Sequence, residues 1–464
     1  MRQLERALRL AIVNGQLQAG QRLPATRHLA RHLGLARNTV LTAFEQLSAE
    51  GWIRGRVGSG SYVAPVDALP AHRPLPPPVP PRLSAYGARA QALAPVRPES
   101  PAALRWNLGY GTPSVPPAIQ SAWRRSLVRA ADDTAFDYPP VQGLLELRQA
   151  LAGYLHRRRG LDVQPEDLLI VGGTQQGIDL CARVLLDPGD LALIEDPAYQ
   201  GLRLSFAACG ARVEGVPTDA DGLDPAHLRG STARLVAVTP SHQFPTGALL
   251  SLSRRLALLD WASAHDAYVL EDDYDGEFRY GGAPLAALKS LDRQQRVIYL
   301  GSFSRVLFPA IRLGYLVLPP ALREAFGAAR WLADRGSPAI EQRALAGLIA
   351  NGQFERLLLR SARRLDERRR ALLAALSARF AGQIQISGAH AGMHLCVRWP
   401  ALPAACEPTV LAAAAALGLT LGGIARYSVR PPPCLSLLLG YAHLPPADLA
   451  QAVDRLALAL ARGA

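Results

Sequence analysis

Eight of the seventeen residues in PVDALPAHRPLPPPVPP (65–81) are proline. Proline fixes φ and has no amide hydrogen to donate, so this stretch can enter neither a helix interior nor a central strand. It reads as a semi-rigid, extended tether. The 464 residues must therefore fold as a short block of 1–64 and a much longer block beyond the tether. An Ala/Pro-rich texture continues to about residue 103 and leaves room for one short helix.

The short block is strongly basic. It holds nine arginines (2, 6, 9, 22, 27, 31, 37, 54, 56) against Glu5, Glu45 and Glu50. The whole chain carries a net charge of +13, which favours an anionic partner without naming it. Apolar residues make up 49%, as in a globular protein. No apolar run reaches the ~18 residues of a membrane span. The opening MRQLERALRL lacks the apolar core of a secretory signal, so a cytoplasmic location is expected. The five cysteines are scattered without C-x-x-C spacing, which fits buried thiols and neither zinc nor disulfides. Lys289 is the single lysine.

Periodicity in the basic block predicts a helix and then a Gly-punctuated turn over 4–20, helices over 23–34 and 35–51, then a hairpin over 52–64. In the third helix Val40, Phe44 and Leu47 recur at i, i+4, i+7 and face a core. Arg37, Asn38 and Leu41 are then left outward near the helix start. Arg pairs with guanine and Asn with adenine in a major groove. The hairpin turn GSG (58–60), with Arg54 and Arg56 beside it, suits phosphates. Composition and periodicity alone leave open a helical protein-interaction module with solvated arginines. The stretches GQLQAG (15–20), LPATRHLARHLG (23–34), LARNTVLTAFEQLSAEG (35–51) and the GSG wing strongly resemble the winged helix-turn-helix of the GntR regulators. That resemblance implies double-stranded DNA as partner, contacted by Arg27, Arg37, Asn38, Thr39, Arg56 and Gly60. Ala25 and Ala36 stand where serine is common at helix starts. The lost cap costs about 0.5–2 kcal/mol each.

The long block alternates buried strands, DLLIV (167–171), DLALIE (190–195), RLVAVT (234–239), AYVLED (267–272) and RVIYLGS (296–302), with helical patterns such as 175–186 and 251–265. This predicts a mainly parallel α/β sheet covered by helices. Long Arg/Ala/Leu-rich helices follow over 320–380, then a smaller α+β region. IVGGTQQG (170–177) passes from strand to helix, where backbone amides suit a phosphate. VLEDDYDGEFRY (269–280) puts Asp272 at a strand end with Tyr274 two residues on. TPSHQFPTG (239–247) and GSFSRVLFPAIRLGY (301–315) also follow strands. Singly, each of these is an ordinary turn. In this order, with YPPVQGLLELRQALAGYL (138–155) and EDPAYQG (195–201), they resemble the fold-type-I aminotransferase domain over about 104–460.

The two halves together resemble the MocR subfamily of GntR regulators. The resemblance implies a large domain at about 104–320 and a small one at about 321–464. It implies head-to-tail homodimers and a sensor for a small molecule, often an amino compound reacting with pyridoxal 5'-phosphate. Asp272 then faces the pyridine nitrogen and Tyr274 the ring hydroxyl. Gly173, Thr174, Gln175, Ser302 and Arg312 bind phosphate, Tyr199 lies near the ring, and the Schiff-base lysine falls at 305.

Position 305 is arginine. A guanidinium stays protonated and delocalised, so it supplies neither a normal Schiff base nor a transaminase's proton shuttle. Lys289, sixteen residues upstream, reads as a solvated lysine. Three readings of Arg305 stay open: non-covalent pyridoxal phosphate; a preformed cofactor–amine adduct or another anionic metabolite; or an altered sequence. A carboxylate-binding arginine of aminotransferases has Leu438 at its register, with Arg426 or Arg430 as substitutes or as surface charges. The expectation is a ligand-responsive transcription regulator with no catalytic residue and no metal. The alternatives are a pyridoxal-phosphate transferase with an appended DNA-binding domain, or a protein-interaction scaffold.

Overall fold

The computed structural model describes residues 2–463 except 57–58, 66–80, 95–104, 112–114, 134–136 and 283–284. Most of the proline-rich tether, 66–80 and 95–103, lies outside the described residues. The chain divides between Leu83 and Ser84 into two compact units.

The first unit has helices α1 (Arg2–Val13), α2 (Thr26–Leu33) and α3 (Arg37–Ala49), then an antiparallel hairpin of β1 (Ile53–Arg56) and β2 (Gly60–Val63). Its core is Leu4, Ile12, Leu23, Ala30, Val40, Ala43, Phe44, Leu47, Ile53 and Val63. The expected stripe of Val40, Phe44 and Leu47 is buried. α1 stops short of residue 20 because Gly15 and Gly20 turn the chain at positive φ. α2 starts at Thr26 because Ala25 is still extended, and Gly34 closes it at φ 64°. Ala25 and Ala36 sit at the two helix starts with no side-chain cap, as their missing hydroxyls require.

The second unit is α/β. It begins with helix Ala85–Leu93, capped by the Ser84 hydroxyl accepting from the Gly87 amide at 3.0 Å. Arg89 Nε donates to the Ala208 carbonyl at 3.0 Å, so this helix docks on helix Gln200–Cys209. The central sheet has eight strands. In spatial order they are Leu168–Val171, Gly314–Val317, Val297–Ser302, Tyr268–Asp273, Leu235–Val238, Leu191–Asp196, Arg212–Asp219 and Gly222–Leu223. From Val297–Ser302 across to Arg212–Asp219 every pairing is parallel. Several strands are buried at every position, which is why they read as unbroken apolar runs.

The five expected strands appear within about one residue of their predicted ends. Gly314–Val317 is a further strand of this sheet, beyond the five expected. It runs antiparallel between Leu168–Val171 and Val297–Ser302. Its four residues are too few to carry a period, yet its insertion brings Arg312 beside Gly172 and Gly173.

Helices Arg323–Asp334, Ala339–Ala350 and Gln353–Phe380 follow. The last leads to a four-stranded sheet, Gln385–Ser387, His394–Trp399, Leu435–Gly440 and Gly422–Gly423, covered by helices Glu407–Ala416 and Pro446–Gly463. Among the described residues no helix is long and apolar enough to cross a membrane.

Candidate functional site

Parallel strands aim their C-terminal ends at one edge of a sheet, and ligands of open α/β folds bind there. Here that edge supplies Asp272 from Tyr268–Asp273, Ser302 from Val297–Ser302, and the turn Gly172–Gly173 after Leu168–Val171. A cavity of about 180 Å³ opens at this edge. Of the expected residues, Thr174, Tyr199, Asp272, Tyr274, Ser302, Arg305 and Arg312 line it. Tyr110, Gly111 and Phe244 also line it and were not singled out from sequence.

Gly173 has φ 91° and caps helix Thr174–Leu185. A Cβ there would lie 3.1 Å from Arg312 Nη1, so glycine lets the guanidinium lie flat on the turn. Arg312 itself adopts φ 48°, a left-handed conformation costly for a side-chain-bearing residue. Its Nη2 donates to the Gly172 carbonyl at 2.7 Å. The Gln175 side chain turns to Ser205 Oγ at 2.7 Å and accepts from the Tyr199 hydroxyl at 3.3 Å, facing a neighbouring cavity.

Asp272 is 5% exposed and its Oδ1 has no hydrogen-bond partner. Burial, then the Asp273 and Asp275 carboxylates, push its pKa up to about 7, while Arg305 opposes them. Adjacent side chains on a strand point to opposite faces. Asp273 accordingly points away from its neighbour and pairs with buried Arg159 and the Tyr299 hydroxyl. The Tyr274 hydroxyl lies 3.0 Å from His242 Nδ1, which also lies 3.0 Å from Asp275 Oδ2. Burial and Asp275 hold the Tyr274 phenol well above its ordinary pKa. His242, Asp275 and His394 bring three possible metal-ligand atoms within 4.8 Å of one another.

The Arg305 guanidinium sits over the Tyr110 ring, 4.4 Å from its centroid, a cation–π geometry. Lys289 is remote. Its Nζ donates to the carbonyl of Val297, the first residue of the strand that ends at Ser302. Five residue-to-residue rises along that strand separate its ends by about 16 Å. Leu438 is buried in the small sheet. Arg426 stacks on Tyr427, and Arg430 Nε bonds Asp196 Oδ2 at 3.2 Å; neither lines the cavity.

In the first unit Arg27, Arg37, Asn38, Arg56 and Gly60 are exposed and Thr39 is half-buried. Arg37, Asn38 and Thr39 open α3. Arg56 lies over the Tyr62 ring, and Gly60, at φ 102°, closes the wing against the Arg22 side chain.

Residues 1–63 match the gntR family of bacterial regulatory proteins, and residues 106–456 match aminotransferase class I and II. The probable rhizopine catabolism regulatory protein MocR of Rhizobium meliloti is 36% identical over 463 residues, covering 98% of this chain and 92% of its own. The chain belongs to the MocR-type GntR regulators. Another relative, the pyridoxine biosynthesis regulator PdxR of Corynebacterium glutamicum, is 34% identical, covering 80% of this chain and 77% of its own. Among solved structures, a Pyrococcus horikoshii kynurenine aminotransferase aligns with TM-score 0.71 and 26% identity over 82% of this chain and 95% of its own. The α-aminoadipate aminotransferase LysN of Thermus thermophilus aligns with TM-score 0.70 and 29% identity over 76% and 92%. This MocR-type chain is thus a transcription regulator whose second unit has an aminotransferase-like fold.

The orphaned carboxyl has a pH signature. Its pKa is raised on folding from about 3.8 to about 7, so the folded state holds the proton more tightly. Its stabilising contribution is complete below about pH 4 and is lost as pH rises through about 7. Asp272→Asn should therefore stabilise the ligand-free protein by about 2–4 kcal/mol at pH 8, with little effect at pH 4. Denaturant melts at the two pH values check this, and an equal effect at both would contradict it.

Proposed function

We propose that this regulator holds pyridoxal phosphate, or a closely related anionic ligand, without a covalent bond, and that occupancy of the site alters its binding to DNA. The orphaned Asp272 Oδ1, buried at the wall of a cavity that also holds Arg305 and Arg312, carries the reading. A buried acceptor without a partner is costly, and a pyridine N–H donor would satisfy it. Arg312, braced on Gly172 and lying across Gly173, offers its guanidinium to phosphate beside Ser302 and the Thr174 helix start. Tyr274, fixed by His242, is the ring-hydroxyl partner. Arg305 stands where the resemblance puts the lysine, and its charge over Tyr110 suits a ligand carboxylate or phosphate. When bound, the cofactor supplies an aldehyde that condenses with amines, which would let an amino compound be sensed.

The relatives support the ligand class. The kynurenine aminotransferase was solved with PMP, and PdxR is a pyridoxine biosynthesis regulator. A transferase with an appended DNA-binding domain needs an amine at the cavity, and the single lysine bonds the far end of strand Val297–Ser302. Adding pyridoxal phosphate to wild-type protein should raise its melting temperature and leave no borohydride-reducible adduct. Arg305→Lys should gain one. A reducible adduct on wild type would restore the transferase reading, and no thermal shift would sink the cofactor reading.

Winged-helix DNA binding places Arg37 and Asn38 against base edges and Arg56 and Gly60 against phosphates. Arg37→Ala should weaken binding to the protein's upstream DNA by about 1–3 kcal/mol and relax its sequence preference. A mobility-shift titration measures both, and undiminished preference would remove Arg37 from the reading role.

A homodimer is part of the proposal. Tyr138 and Leu332 are 77% and 78% exposed, and Arg335 stacks on both Tyr138 and Trp331; these exposed large side chains are the surface proposed for a second copy. Light scattering should give twice the 49.7 kDa chain mass, reduced by Leu332→Glu. A wild-type monomer at micromolar concentration would exclude it.

A further inference from the structure

Residues 84–464 contain 40 Arg and Lys against 34 Asp and Glu, a surplus of six. The single helix Gln353–Phe380 contains eight arginines against Glu355, Asp366 and Glu367, a surplus of five. One helix therefore carries nearly all the net charge of the second unit.

Some of these arginines serve the fold. Arg368 is buried and donates to the Ala442 carbonyl; Arg369 bonds Asp366 and the Ala389 carbonyl; Arg370 pairs with Asp366 at 3.2 Å. The other group differs. Arg356, Arg360, Arg363 and Arg364 are all exposed, and among the described residues no acid pairs with any of them. At about 100° per residue they fall, with Arg370, in a strip about 120° wide. Glu367 is the one acid in that strip. Arg356/Arg360 and Arg360/Arg364 are like-charge pairs at i, i+4, each destabilising by a few tenths of a kcal/mol. A helix built only for stability would interleave glutamates there.

We infer that this arginine strip is a second, sequence-independent contact for the phosphate backbone of DNA. The inference rests on the DNA-binding reading of the first unit. From Arg356 to Arg364 the helix rises about 12 Å, which matches about three to four phosphates at ~3.4 Å per strand. Guanidinium forks fit phosphate oxygens. Charge complementarity selects a polyanion, and the chain already tethers a DNA reader to this unit. The winged helix reads sequence; the strip adds affinity without preference.

The test compares wild type with the combined variant Arg356→Gln, Arg360→Gln, Arg363→Gln, Arg364→Gln. Each is titrated with a duplex from the protein's upstream DNA and with a scrambled duplex across a range of KCl. Each phosphate contact contributes about 0.9 to the slope of log K against log salt. The variant should lose about 3–4 units of slope and bind both duplexes at least about tenfold more weakly. The preference between the duplexes should stay unchanged, as should the thermal melt. An unchanged slope with an intact melt overturns the inference and leaves the winged-helix reading standing. So does loss of binding to phosphatidylserine vesicles with DNA binding unaltered, which would make the strip a lipid-surface contact. If wild type binds neither duplex, the winged-helix reading fails and takes this inference with it.

Discussion

A buried ion pair makes the site possible. The segment 271–277 carries Glu271, Asp272, Asp273, Asp275 and Glu277 in seven residues, packed at the edge of the sheet. Arg159, 1% exposed at the end of helix Leu145–Arg159, is the cation that offsets Asp273 and lowers the pKa of Glu271 and Glu277. It pairs with Asp273, donates to the carbonyls of Gly276 and Leu285, and reaches Ser241 Oγ at 3.1 Å. Removing one partner of such a pair leaves an uncompensated buried charge, which costs several kcal/mol. Glu271 is satisfied separately by the amides of Leu288 and Lys289, and Asp275 by His242. Glu277 Oε1 accepts from the Tyr154 hydroxyl at 3.4 Å while its Oε2 and Asp272 Oδ1 have no partner; of these two acids only Asp272 lines the cavity.

Much of this was legible because backbone constraints write themselves into sequence. The Gly172–Gly173 turn, the acid at a strand end and the fully apolar strands are local patterns, and they fell where expected. So did the winged helix, where Val40, Phe44 and Leu47 fix which way Arg37 and Asn38 face. Tyr110, Phe244 and His394 were not legible. They converge from three distant segments, with the Tyr110 ring 5.1 Å from Phe244 and 4.9 Å from His394. No local period announces such a cluster. The short antiparallel strand Gly314–Val317 was equally silent, although it sets the position of Arg312. The reach of Lys289 was also obscure from sequence, since it depends on which end of a strand faces the site.

The charge at the cavity explains why a guanidinium is tolerated at 305. A neutral amine there, which a lysine needs for nucleophilic attack, would leave Asp272 and Asp275 less compensated than a permanent cation does. The Arg305 charge lowers the pKa of Asp272, Asp275 and the tyrosines 110, 199, 274 and 427 against the upward push of burial. It acts on both carboxyls, Asp272 and Asp275, and on four phenols at once. Its face is occupied by Tyr110, and a Cβ on Gly111 would lie 3.5 Å from Nη1, so its position is set by packing as well as by charge. Such a residue is suited to retaining an anion and unsuited to turning one over.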